Sequence, residues 1–281
     1  MTVTKNNNEI YLEEKIPNIQ EHIAIINEVH DEISKLFPNV KNPDHFKKLT
    51  LNEFSVGLTS WISYTIGFNP TGINLDHADN VVSFKTKMKV LHQFFHINNK
   101  EEFEKYLPRK KMMDEEKEVS RLFLVSDYPN YLKTLNQSIE VDEKNLSDFN
   151  EYIKMNHYRH LTDIKFLFIN TLQTKINPNF LYAYEISKLM LLVRLGYDLG
   201  FIEEKEVFEF QKEFYTIIKS QFDTWSSFHT NLLYGLLFSY LDVNRPMFIK
   251  EVLHQFLIYF DQINNQFSEV DFEIFNPDTG E

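Results

Sequence analysis

The chain has 281 residues, no cysteine and a formal net charge of −12. This excludes a disulfide framework, a thiol nucleophile, an iron–sulfur cluster and a thiolate zinc site, and it disfavours nucleic acid or an anionic membrane surface as a partner. With 26 Phe and 14 Tyr against 7 Gly and 9 Pro, core-forming side chains are plentiful and turns few, a balance that predicts long helices.

Ile19, Ile23, Ile26, Ile33 and Leu36 recur at helical spacing, and Pro38 follows where a helix should stop. Thr50 and Glu53 have the spacing of a capping box, in which the hydroxyl takes an exposed backbone N–H and the carboxylate reaches back. Behind them Leu51, Phe54, Leu58, Trp61 and Ile62 form the stripe of a second helix, ended by a loop over 67–72. Phe84, Met88, Leu91 and Phe95 predict a third amphipathic helix, and Asn99 with Glu102 caps a short fourth one that Pro108 stops. The charged stretch 114–121 reads as a helix, as does 130–137 behind Pro129. Leu146, Phe149 and Ile153, then Leu161, Ile164, Leu167 and Phe168, mark a long helical region that Pro178 terminates.

Residues 181–197 are apolar nearly all round between Leu189 and Val193, as expected of a helix surrounded by others. Gly200 is placed to end that helix in the left-handed conformation, and Glu203, Glu204 and Glu206 put negative charge at the positive end of the next. Val207, Phe210, Phe214, Ile217 and Ile218 give this next helix a buried face. Residues 225–241 and 246–263 form the last two helices, and Val270, Phe272 and Ile274 alternate like a strand. The expected fold is all-α: a single globular multi-helix bundle with a buried central helix near 181–198 and a short β segment at the C-terminus. An N-terminal helical arm over 1–45 packs on a main domain over 46–281.

The glycines are too few and too scattered for a dinucleotide fingerprint or a P-loop, both of which need glycine where backbone amides approach phosphate. No serine lies in a nucleophile elbow or an S-x-x-K pair. His92 and His96 stand one helical turn apart, a spacing that can chelate zinc, and His157 with His160 forms a second such pair. Neither has the glutamate of a metalloprotease helix, so no metal and no cofactor is expected. Glu251 and His254 have the spacing of a di-iron bundle ligand pair, but one copy does not make that site. The basic run between Lys85 and Lys111 reads as a solvated helix face.

Polar residues concentrate instead around the central helix. Glu185 and Lys188 stand at i,i+3, Arg194 and Asp198 at i,i+4, while Trp225 and His229 project from the helix after next. If the middle of the helix is buried these charges need partners, and a buried charged cluster is either structural or a site. Aromatic packing with a hydrogen-bonded polar edge accounts for Trp225 and His229.

The hinge Arg194-Leu-Gly-Tyr-Asp-Leu-Gly-Phe-Ile202, the pair Thr224-Trp225 and the element Leu233-Tyr-Gly-Leu236 resemble the bacterial family known as domain of unknown function 1266. Its members carry a Trp-Asp-x-x-Arg helix, an Arg-x-Gly-Tyr-x-x-Gly-Tyr/Phe-Ile hinge followed by acidic residues, and a Ser-Trp followed by Leu-x-Gly-Arg. More loosely, Phe95-His-Ile97 corresponds to a Trp-Gly-Ile segment of the family. The departures are Tyr184-Glu185 for Trp-Asp, Lys188 for the first Arg, and Leu236 for the Arg after Gly235. The resemblance implies a helical bacterial cytoplasmic protein and no particular reaction.

Two functional expectations follow. The first is a noncatalytic interaction module that binds a protein partner, of the immunity or antitoxin kind, with a basic effector on the other side. The second is an enzyme or small-ligand binder with a polar site around Glu185, Arg194, Asp198 and His229. The polar start of the chain predicts no standard export signal, and the longest apolar run, 231–241, falls short of the ~18 residues of a membrane span. Cytoplasmic localisation without membrane insertion is expected.

Overall fold

A computed structural model describes residues 19–36, 47–66, 68–69, 73–76, 81–107, 163–172, 175–177, 180–241, 245, 247–267 and 270–274. Among these, nine helices and two short strands follow in the order α1 (Ile19–Leu36), β1 (Lys47–Leu49), α2 (Leu51–Ile66), α3 (Phe84–Phe95), α4 (Lys100–Tyr106), α5 (Asp163–Leu172), α6 (Phe180–Asp198), α7 (Glu204–Gln221), α8 (Trp225–Ser239), α9 (Phe248–Phe267) and β2 (Val270–Ile274). The class is all-α, as expected. The elements anticipated over 114–121, 130–137 and 146–153 lie outside the described residues.

Local chemistry sets the helix starts. The Thr50–Glu53 box closes in both directions, with Glu53 N–H donating to Thr50 Oγ1 at 3.1 Å and Thr50 N–H to Glu53 Oε2 at 2.8 Å. Asn99 Oδ1 accepts from Glu102 N–H at 2.9 Å to start α4, and Thr224 Oγ1 accepts from Ser227 N–H at 3.0 Å to start α8. Gly200 ends α6 with φ +69°, the left-handed region that costs a glycine nothing.

The core is organised around α6. Its residues from Met190 to Gly196 are all buried, and it packs against α8, α7, α2 and α3. At the α8 crossing, a Cβ on Gly235 would lie 2.5 Å from Tyr184 Cβ and 3.0 Å from the Phe180 carbonyl oxygen, so the helices approach more closely than a larger residue permits. On the α2 side Trp61 Nε1 donates to Ser187 Oγ at 2.6 Å, and Ser187 donates onward to the Leu58 carbonyl. The indole is thus buried with its donor satisfied. The buried face of α1, including Ile26, Val29 and Ile33, belongs to the same hydrophobic cluster and packs on α5, α9 and α8.

The expected C-terminal strand exists as β2 and has a partner: it pairs in parallel with β1, Lys47 opposite Val270 and Leu49 opposite Ile274, with an irregular register between them. This places Phe272 in the core, 5.2 Å from the Phe54 ring and 4.9 Å from that of Trp225, centroid to centroid. No helix among the described residues is long and apolar enough to cross a membrane.

Candidate functional site

Arg194 lies on the central helix with none of its surface exposed. A guanidinium there must place its fork of five donors on protein oxygens. Helix α2 supplies two hydroxyls one turn apart on its inner face: Arg194 Nη1 donates to Thr59 Oγ1 at 2.6 Å and to Ser63 Oγ at 2.7 Å. The loop after α2 supplies two carbonyls, with Nη2 donating to Asn69 O at 2.6 Å and Nε to Ile73 O at 3.2 Å. Arg194 is therefore the peg around which this loop folds. The loop also closes on itself through Asn69 N–H to Leu75 O at 3.0 Å. Burial pushes the guanidinium down to about 9, with the Asp198 charge acting in the opposite direction, so it is cationic at neutral pH.

One turn further along α6, Asp198 takes the other edge of the loop. Its Oδ2 accepts Leu75 N–H at 2.9 Å and lies 2.8 Å from Lys87 Nζ on α3. Lys87 also reaches Asp76 Oδ1 at 2.9 Å, and that oxygen accepts Val82 N–H at 2.8 Å. Lys87 and Asp198 side chains are 7% and 5% exposed, against 30% for Asp76. Two cations and two carboxylates thus form a neutral network that fastens residues 68–69 and 73–76 between α2, α3 and α6. Burial opposes the charge on Lys87, but the two carboxylates outweigh it and hold the ammonium above its usual range. For Asp76 burial is likewise outweighed, by the Lys87 and Val82 hydrogen bonds, and the carboxyl sits below its usual range.

The other polar residues singled out from the sequence lie in different surroundings. Glu185 and Lys188 pair at 3.4 Å, with the ammonium 5.1 Å from the centre of the Tyr184 ring. Burial alone would lower Lys188, but Glu185 outweighs it and the group sits above its usual range. Trp225 and His229 stack at 5.4 Å among the rings of Phe54, Phe228 and Phe272. Burial pushes His229 down to about 3, so its ring is neutral at physiological pH. The structure brings Arg194 and Asp198 to one loop, Glu185 to Lys188, and Trp225 to His229.

His92 and His96 are exposed at the end of α3 with ring centres 6.2 Å apart. His157 and His160 lie outside the described residues. Glu251 and His254 turn to different partners, Arg245 at 3.1 Å and Glu32 at 3.4 Å. Among the described residues no group of three or more His, Asp or Glu is placed to hold a metal ion. Lys87 is the residue sequence reasoning missed: the run 85–111 reads as a solvated face, and Lys85 and Lys89 are exposed, but Lys87 is buried. Its spacing with Val90 and Leu91 on one helix face is the signal that could have found it.

Fold and network together define a helical protein with a buried ionic clasp at the C-terminal end of its central helix. The chain belongs to the family of proteins of unknown function DUF1266, whose model matches residues 85–270, about two thirds of its length. The match takes in α3 and all of α6 to α8, hence Lys87, Arg194 and Asp198, while the loop and α2 residues they hold lie before it. No curated protein and no solved structure matches the chain.

Proposed function

We propose that this protein is a noncatalytic interaction module, acidic and helical, whose partner is a basic protein, of the immunity or antitoxin kind. The observation that carries this reading is the use to which the charges near the central helix are put. Arg194 donates to the protein oxygens of Thr59, Ser63, Asn69 and Ile73, and Lys87 and Asp198 are enclosed with one another. A catalytic or anion-binding group needs a free face towards its substrate, and these side chains are directed into structure. The net charge of −12 favours association with a positively charged partner and accelerates the encounter.

The test is cross-linking of the tagged full-length chain in its native cell, followed by reconstitution from purified components. The reading predicts that one basic protein is recovered repeatedly and forms a stoichiometric complex whose affinity falls with salt. Repeated recovery of no such partner would count against it.

A further inference from the structure

We draw no further inference here: the strongest candidate, the exposed face at the start of α3 where Val81 and Phe84 stand 77% and 62% exposed beside Lys85 and Lys89, carries nothing, because nothing in the structure shows what covers it.

Discussion

The Lys87 ammonium lies 2.8 Å from the Asp198 carboxylate, and both side chains are almost wholly enclosed. The pair joins α3 to the end of α6 across the loop whose Leu75 N–H the same carboxylate accepts. Removing one partner of a buried pair leaves the other charge uncompensated, at a cost of roughly 3–5 kcal/mol. Lys87→Met should therefore lower the unfolding free energy in urea by about 3 kcal/mol, near the bottom of that range because Asp198 keeps the Leu75 hydrogen bond. Asp76→Asn should cost about 1 kcal/mol or less, since Asp76 is 30% exposed. Equal losses for the two variants would contradict the ranking. The pH dependence follows the same logic. Lys87 is held above 10.5, so its contribution is complete below that pH and is lost as pH rises through the folded value. Asp76 is held below 3.8, so its contribution is present above that pH and is lost as pH falls through the folded value.

His229 makes a separate acid-side prediction. Unfolded, it takes a proton near 6.5, but in the core it resists protonation until about 3. Its contribution is present above pH 6.5 and drains away as pH falls towards 3, about 5 kcal/mol in all by the 1.36 kcal/mol per unit of linkage. Denaturation curves at pH 7, 5.5 and 4 should show the slope of one proton per molecule in the difference between the native chain and His229→Phe. Parallel stability profiles would show that the ring is not buried neutral.

His96 follows α3 with φ 56° and ψ 31°, the left-handed conformation that disfavours any residue with a Cβ. Since His96 is exposed, His96→Gly removes strain and little packing, and should raise stability by roughly 1 kcal/mol. A loss measured in the same urea titration would mean that the imidazole makes a stabilising contact.

What was legible in the sequence was local. Thr50 with Glu53, Asn99 with Glu102, and Gly200 each act within one turn of chain, and each does in the structure what its spacing predicts. The all-round apolar middle of α6 likewise identified the central helix. Contacts made between distant segments were hidden. Phe84 reads as part of the buried face of α3, yet as the first residue of the helix it is 62% exposed, and Lys87, which reads as solvated, is drawn inward by Asp76 and Asp198. Arg194 and Asp198 stand one turn apart and read as partners, but hydroxyls, loop carbonyls, a loop amide and Lys87 take up their capacity. Strand β1 gave no signal either, since three residues carry no periodicity and its pairing depends on β2 at the far end of the chain.

The central claim is that Arg194 is a structural peg holding the loop after α2, and Arg194→Lys tests it most directly. Lysine keeps the charge but has three donors on one atom, which cannot span Thr59, Ser63, Asn69 and Ile73 from their separate directions. Urea unfolding should show a loss of about 3 kcal/mol with an unchanged denaturant slope. A variant as stable as the native chain to within about 0.5 kcal/mol would contradict the claim.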